Sequence, residues 1–303
     1  MYPILISAPA SAGEVIGASR NQPIASRWIG HDGSEWDLTQ IDGPLLVQNG
    51  VIGLHDPDFE RFIDESSNLP GHRLRGVRAR AREVFWPLLF QSDSVAQWAD
   101  TWSDFWRSIH PVKQGTWRVG TGDAARELRL TGVYDAKYSM RHDPFTLGWA
   151  TIGTQLEAAQ PFWQGRPITR GPWTNAASRP FFPGPPFRLS SSKTLAKASI
   201  PNPGDVDTWL TWRAVGPFSA LNLGVGGSSI VVPFDLLEGD VLEIDMDPRS
   251  QFARLNGEDA TEALGFQEFA AVQPGESVPL AIEATGAGSV AASLTPLYFR
   301  AFG

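Results

Sequence analysis

Three carboxylates alternate along one short segment of the sequence: Glu243, Asp245 and Asp247. On a strand, side chains at every second position share a face, so all three would project on one side. Carboxylate oxygens hold calcium, and paired carboxylates act as acid and base in glycoside hydrolysis. A calcium loop must turn to wrap its ion, whereas a straight strand projects its carboxylates in parallel. We therefore expect a solvent-facing strand here, without a metal or a catalytic pair.

No other residues have the spacing of a known catalytic or metal centre. The chain has no cysteine, and its five histidines are scattered without the i, i+4 spacing of a helical zinc site. The lack of thiols excludes disulfides, iron–sulfur clusters and thiol nucleophiles. The sequence also lacks a P-loop, a dinucleotide-binding glycine motif and a nucleophile elbow. We predict a protein that is not an enzyme and has no metal or cofactor.

The sharpest local feature is a segment rich in arginine. It contains five arginines and no lysine: Arg73, Arg75, Arg78, Arg80 and Arg82. The last three alternate with small apolar residues, and this two-residue period predicts three guanidinium groups on one strand face. Guanidinium groups suit bidentate contacts. The face could contact an acidic neighbouring subunit, line a channel for nucleic acid, or be a solvated edge strand.

The charge is unevenly distributed along the 303 residues. Residues 201–303 contain 4 Lys/Arg against 14 Asp/Glu, whereas residues 1–200 are nearly balanced. A general nucleic-acid binder needs clustered basic residues, so this class is excluded for the chain as a whole. The net charge of −8 favours a protein as the partner of the arginines. No apolar run approaches the ~18 residues of a membrane span, and we expect no membrane insertion.

One amphipathic helix follows the arginine segment in the sequence. Ser94 can cap its first turn, and Pro111 ends it because the residue before proline avoids helical dihedral angles. Apolar residues recur between these limits at the i, i+3, i+4, i+7 spacing of a helix with one buried face: Val95, Trp98, Trp102, Phe105 and Trp106. We predict that this face is part of a hydrophobic core.

The remaining pattern is that of short strands. The 30 glycines and 24 prolines favour many turns. Gly115–Gly120 and Arg126–Tyr134 predict a hairpin, and the proline-rich residues at about 160–204 predict a long loop or arm. Eight later runs predict a β-sandwich: Asp207–Val215, Leu221–Val225, Ser229–Phe234, Asp240–Met246, Phe252–Leu255, Phe266–Ala271, Val278–Ala284 and Ala291–Arg300. The fold class is therefore mainly β with one prominent helix.

The order of these motifs resembles the distal tail proteins of siphophages. In the first half, the resemblance rests on the arginine segment from Gly71, the Trp-rich helix and Gly115–Val119. In the second half it rests on Ala159–Trp163, Gly239–Asp245, Asn256-Gly257, Pro274–Val278 and Pro296–Arg300. The resemblance extends from about residue 45 to the end of the chain.

The resemblance implies two domains, an α+β belt domain over residues 1–142 and a galectin-like β-sandwich over residues 143–303. It implies a homo-oligomeric ring, usually a hexamer, at the distal end of the virion tail, assembled in the host cytoplasm. Partners would be the tail tube protein, tail-tip hub proteins, tail-associated proteins and receptor-binding proteins. Genomic DNA would pass through the channel without sequence-specific binding. The five arginines would then lie at the ring interface or the channel, and the Trp-rich helix in the belt core.

Two other functions compete with this interpretation. A carbohydrate-binding module on the host envelope could use tryptophans as sugar platforms: Trp163, Trp173, Trp209 or Trp212. A glycosidase could use acidic pairs of the C-terminal part. Galectins bind sugar through a polar set that includes histidine, and residues 201–303 contain no histidine. We therefore expect no lectin activity even if the fold is shared.

Overall fold

The computed structural model describes residues 24–68, 70–134, 143–174, 193–194 and 198–303. Strands dominate these residues, and this confirms the predicted mainly β fold class. Much of the predicted proline-rich arm, residues 175–192 and 195–197, lies outside the described residues. None of the described helices has the length and hydropathy needed to cross a lipid bilayer.

The strands and helices are numbered in chain order. The described strands before residue 165 are β1 (Ser26–Ile29), β2 (Glu35–Asp37), β3 (Leu45–Val47), β4 (Phe59–Glu65), β5 (His72–Ala79), β6 (Arg82–Gln91), β7 (Gly115–Val119), β8 (Arg126–Val133), β9 (Trp149–Ala158) and β10 (Trp163–Gln164). The later strands are β11 (Ile168–Thr174), β12 (Lys193–Thr194), β13 (Ser199–Asn202), β14 (Leu210–Val215), β15 (Ala220–Val225), β16 (Ile230–Val232), β17 (Val241–Asp245), β18 (Phe252–Leu255), β19 (Glu258–Asp259), β20 (Gly275–Thr285), β21 (Ser289–Leu294) and β22 (Leu297–Tyr298). The helices are α1 (Val95–Ser108), α2 (Pro144–Leu147) and α3 (Thr261–Leu264).

The first sheet has the strand order β2-β1-β7-β8-β9-β6-β3, and β10 joins it beside β8. Its core contains a chain of tryptophans in edge-on or tilted contact. The ring centroids of Trp28 and Trp86 are 5.4 Å apart, those of Trp86 and Trp117 are 5.2 Å apart, and those of Trp117 and Trp163 are 5.0 Å apart. All four rings are buried. The high tryptophan content of the sequence thus serves packing, where large rings bury the most apolar area.

Helix α1 forms as predicted and packs on this core. The Ser94 hydroxyl accepts a hydrogen bond from the Gln97 amide, and the helix ends at Ser108. Phe105 is fully buried, with its ring centroid 5.3 Å from that of Phe90. Trp98 is also buried, and partly buried neighbours complete the stripe: Trp102 and Trp106. Val95 does not belong to the core, because it is the first helical residue and is 38% exposed.

The cap of α1 supports a first prediction. Ser94→Ala removes the acceptor for the Gln97 amide and is expected to lower the free energy of unfolding by about 1 kcal/mol. Chemical denaturation of the purified chain measures this loss. Asp100→Ala is the matched control, since Asp100 is exposed in the middle of the same helix. Equal midpoints for the two variants would contradict the capping role.

The later strands form two packed sheets with a hydrophobic core of their own. We call these two sheets the second layer system. One sheet has the order β11-β21-β14-β17-β18-β19, and the other has β12-β20-β15-β16 with β13 also paired to β20. Buried side chains from both sheets share one hydrophobic core, among them Trp212, Leu223 and Ile282. The predicted strands Asp240–Met246 and Phe252–Leu255 are confirmed as β17 and β18, which pair as a hairpin. One predicted strand, Phe266–Ala271, is wrong, because these residues form no strand.

The predicted boundary at residues 142 and 143 does not divide the two cores. Strand β9 lies after this boundary but pairs along its length with β6, and its last residues also pair with β8. Strand β22, near the end of the chain, pairs with β10 beside the first sheet. A central strand receives hydrogen bonds from both sides, so the first sheet requires residues on both sides of the predicted boundary. The first core therefore continues to Gln164 and includes Ala301.

The ends of the predicted proline-rich arm are also strands. β11 pairs with β21, and β13 pairs with β20, so both ends belong to the second layer system. The interpretation of the whole of 160–204 as a loop or arm was therefore wrong at its ends. Ile168 pairs with Leu294 and Ser199 pairs with Pro279, partners that lie far later in the sequence and beyond the reach of any local pattern.

Candidate assembly surface

Strands β4 and β5 form a two-stranded ribbon that pairs with no other described strand. The ribbon runs from Phe59, which pairs with Ala79, to Glu65, which pairs with His72. At its base, the Phe59 ring lies 5.6 Å from that of Phe299. An isolated two-stranded hairpin is marginally stable in water and usually needs a hydrophobic face packed on something else. The ribbon therefore lacks the cover that such an element requires.

One face of the ribbon exposes three apolar side chains beside Arg61. The register places Ile63 opposite Leu74, and Val77 lies on the same side, opposite Arg61. Ile63 is 43% exposed, Leu74 is 46% exposed and Val77 is 51% exposed. Clustered apolar side chains rimmed by polar groups are typical of protein–protein contact sites. We call these three residues the apolar ribbon face.

The opposite face of the ribbon carries paired charges. Arg78 donates to Glu60 at 2.6 Å, Arg80 approaches the same carboxylate at 3.4 Å, and Arg75 pairs with Asp64. The hydrogen bond from Arg78 lowers the pKa of the Glu60 carboxyl most, and the hydrogen bond from Arg80 lowers it further. Glu60 therefore stays ionised at neutral pH, and the two arginines share one partner. Arg73, opposite Asp64 in the register, is exposed and forms no ion pair within the described residues.

The predicted alignment of three arginines on one strand is wrong. Strand β5 ends at Ala79 and β6 begins at Arg82, so the chain passes from one sheet to another between them. Arg80 lies in this connection, where its amide donates to the Asp58 carbonyl. The two-residue period of the sequence continues through a break in the strand. The structure thus separates Arg82 from Arg73, Arg75, Arg78 and Arg80.

Arg82 is buried, with only 3% of its surface exposed. Its guanidinium donates to the carbonyls of Pro161 at 2.6 Å, Gly53 at 2.9 Å and Phe299 at 2.7 Å, and also to that of His55. Burial lowers the pKa of Arg82 to about 10, so that the group remains charged at neutral pH. Arg82 therefore joins three distant segments of the chain and cannot contact another subunit or a channel.

The structure also places the residues of the competing functions. Trp163 and Trp212 are fully buried and cannot act as sugar platforms, whereas Trp173 and Trp209 are partly buried. Asp247 is held by Arg249 through a bidentate pair, and Asp245 accepts a hydrogen bond from Ser250. Glu243 lies 3.5 Å from Arg213 on the next strand. In the described chain, no three acidic or histidine side chains are grouped as metal ligands.

Sequence analysis did not identify the apolar ribbon face. Leu74 and Val77 lie between the arginines, and the basic residues dominated the interpretation of the segment. The partner strand Phe59–Glu65 has the sequence FERFIDE, which lacks the two-residue alternation of a strand with two different faces, so no periodic signal indicated the ribbon.

Comparisons with known proteins concern the fold. No protein-family model matches the sequence, and no curated protein matches it. The structure is similar to that of the Dit protein of phage SPP1, described as a paradigm of the hub adsorption apparatus in phages that infect Gram-positive bacteria. The TM-score is 0.63 at 14% identity, covering 91% of this chain and 99% of that chain. A chain of the phage p2 baseplate in its activated conformation with calcium gives a TM-score of 0.49 at 11% identity, covering 90% of this chain and 97% of that chain. This protein therefore has the fold of a phage tail hub protein.

Proposed function

We propose that this protein is a structural, non-enzymatic subunit of a long-tailed bacteriophage, located at the distal end of the tail. Copies of the chain form a ring, with six as the expected number, around the channel through which the genome leaves. The ring joins the tail tube to the tail-tip or baseplate proteins. The observation that carries this proposal is the fold shared with the SPP1 Dit protein over 91% of the chain.

The uncovered ribbon supports self-assembly. A two-stranded element with an apolar face exposed to water is costly for a monomer and suits a contact between copies. In a ring, the same patch of each copy meets a different patch of the next, and the contact repeats until the ring closes. The ribbon lies in the chain between β3 and β6, two strands of the first sheet, so this part would act as the belt.

The second layer system fits a peripheral role. Residues 201–303 have a net charge of −10, and copies of this part repel each other at neutral pH. Its two-sheet architecture is compatible with the galectin-like domain that the sequence resemblance implies. We propose that it lies outside the ring and contacts other tail-tip proteins.

The test is the mass of the native full-length chain. Native mass spectrometry of the purified protein should give a closed oligomer of this 33.1 kDa chain, and negative-stain images should show rings with a central hole. The full chain is required, since a fragment ending at residue 142 would lack the central strand β9. A monomer at all concentrations up to ~100 μM would overturn the ring, because this exceeds the dissociation constants of stable complexes.

A further inference from the structure

The chain contains two Asn-Gly pairs and two Asp-Gly pairs, the dipeptides that rearrange most readily in water: Asn49-Gly50, Asn256-Gly257, Asp32-Gly33 and Asp42-Gly43. The backbone nitrogen of the glycine can attack the side-chain carbonyl carbon of the residue before it, because glycine has no side chain to shield that nitrogen. A fold can prevent this reaction in two ways. It can engage the glycine nitrogen in a hydrogen bond, or it can hold the attacked side chain so that it cannot rotate.

The glycine nitrogens of both Asp-Gly pairs are engaged. The Gly33 amide donates to the Gly30 carbonyl at 3.0 Å, and the Gly43 amide donates to the Gln40 carbonyl at 3.0 Å. Their side chains are also carboxylates, which are poorer electrophiles than the amide of asparagine when they are ionised. We therefore expect both Asp-Gly pairs to remain intact.

The side chain of the later Asn-Gly pair is held in place. Asn256 Oδ1 accepts from the Val241 amide at 2.9 Å, and Asn256 Nδ2 donates to Asp240 Oδ1 at 2.8 Å. The hydrogen bond from Asn256 lowers the pKa of the Asp240 carboxyl, so the acceptor is ionised at neutral pH. Rotation of the side-chain carbonyl carbon towards the Gly257 nitrogen would break both hydrogen bonds. The fold therefore protects this asparagine.

The earlier Asn-Gly pair has neither protection. Asn49 and Gly50 are exposed, and within the described residues neither the Asn49 side chain nor the Gly50 amide forms a hydrogen bond. Gly50 has a φ of 101°, in the region that favours glycine. The atom nearest to the position that a Cβ would take on Gly50 is Pro87 Cγ, 3.9 Å away. The pair is thus both reactive by type and sterically open.

We propose that Asn49 is a site of spontaneous deamidation, with water as the only co-reactant. The Gly50 nitrogen forms a bond to Asn49 Cγ, the bond from Cγ to Nδ2 breaks, and the amide proton of Gly50 leaves with Nδ2 as ammonia. Water then opens the cyclic imide at either carbonyl, which yields aspartate or isoaspartate. Either product adds a negative charge next to β3, the edge strand of the first sheet. The reaction does not depend on the proposed ring.

The surrounding contacts allow this reaction in the folded protein. The Gln48 amide donates to the Pro87 carbonyl at 2.7 Å, and the Ile52 amide donates to the Phe85 carbonyl at 3.0 Å, so both ends of the loop are fixed to β6. Between these two contacts, the exposed pair can change conformation while the sheet stays intact. Isoaspartate lengthens the backbone by one methylene group, and the exposed tip of the loop can accommodate this length in water.

The test is an ageing experiment on the full-length protein, with Asn256 as the matched control in the same molecule. The protein is incubated at slightly alkaline pH, because the attacking nitrogen must lose its proton. Peptide mapping by mass spectrometry then measures the conversion of amide to carboxyl at each pair. Asn49 should deamidate at least about tenfold faster than Asn256, since the two hydrogen bonds of Asn256 add to its activation free energy. In concentrated urea, which removes these bonds, the two rates should become similar.

The isoaspartate product is identified by its own chemistry. A protein-isoaspartate carboxyl methyltransferase with labelled S-adenosylmethionine should label the peptide that contains Asn49, and the label should increase as the protein ages. The variant Asn49→Gln keeps the amide and the net charge, but its reaction would require a larger ring. The peptide of this variant should remain unlabelled over the same period.

Two results would overturn the proposal. Equal rates at Asn49 and Asn256 in the folded chain would show that the hydrogen bonds do not select between the two pairs. Deamidation of Asn49 that is much slower in the folded protein than in urea would show that the fold shields this pair as well.

Discussion

Replacement of Arg82 by methionine is expected to lower the free energy of unfolding by about 3–5 kcal/mol, because each buried carbonyl that is left without a donor costs about 1–3 kcal/mol. Methionine fills much of the same volume but donates no hydrogen bond. The carbonyls of Gly53, Pro161 and Phe299 would then be buried without their present donor. Because these carbonyls belong to three distant segments, their loss should loosen the contact between the first sheet and the end of the chain.

Chemical denaturation measures this effect, with Arg80→Met as the matched control. Arg80 is two residues away, and its side chain is 57% exposed beside Glu60. Exposed ion pairs contribute little to stability, so the control should unfold close to the midpoint of the unmodified protein. If Arg82→Met makes the protein insoluble, Arg82→Lys retains the charge without the planar fork and should show an intermediate loss. Arg82→Met and Arg80→Met with equal midpoints would refute the structural role of Arg82.

The second large effect is expected at the apolar ribbon face. The triple variant Ile63→Thr, Leu74→Thr and Val77→Thr should dissociate the proposed ring. Burying the exposed half of each apolar side chain contributes about 1 kcal/mol, so the three changes should weaken each contact by roughly 100-fold or more. Threonine retains strand propensity, and the monomer should keep its fold because these side chains are already about half exposed.

Native mass spectrometry across a dilution series measures the dissociation. Leu237→Thr with Phe266→Thr is the matched control, because these residues are exposed apolar side chains of the second layer system. The control should keep the mass of the unmodified protein. A triple variant that assembles normally would show that the ribbon does not form the contact between copies.

The charged face of the ribbon can be tested separately. Arg78→Glu with Arg80→Glu would place three carboxylates around the position of Glu60. If this face contacts an acidic neighbour, the reversals should reduce the fraction of rings. If it lines the channel, rings should form but virions should deliver their genome poorly. Normal rings and normal infectivity would leave these arginines as solvated charges.

Local patterns in the sequence were sufficient where a segment needs only its own periodicity. The spacing of apolar residues predicted α1, and Ser94 caps it as expected. The strands of the β17–β18 hairpin followed from two short runs, and Asn256 in the next turn, between β18 and β19, adopts a positive φ of 53°. In these elements neighbouring residues fix the dihedral angles and the buried face, so the sequence specified them directly.

The failed strand at Phe266–Ala271 shows where local patterns are insufficient. Instead of adding a strand, the chain covers the edge of β16 with one side chain. The Val231 amide donates to Gln267 Oε1 at 3.0 Å, and Gln267 Nε2 donates to the Val231 carbonyl at 3.2 Å. A side-chain amide thus makes the hydrogen bonds that a strand would make. No property of the run itself distinguishes these two solutions.

The sequence by itself determined the mainly β class, the helix and its buried stripe, and the hairpins whose strands are close in the chain. Tertiary structure alone decided that Arg82 is buried while Arg78 is exposed, although both belong to one alternating run. It also decided that β9 belongs to the first sheet. The physical reason is that burial and strand pairing depend on partners far away in the sequence, such as the carbonyl of Phe299 for Arg82. A two-residue period indicates which side chains alternate, but the packed neighbours determine which of them meet water.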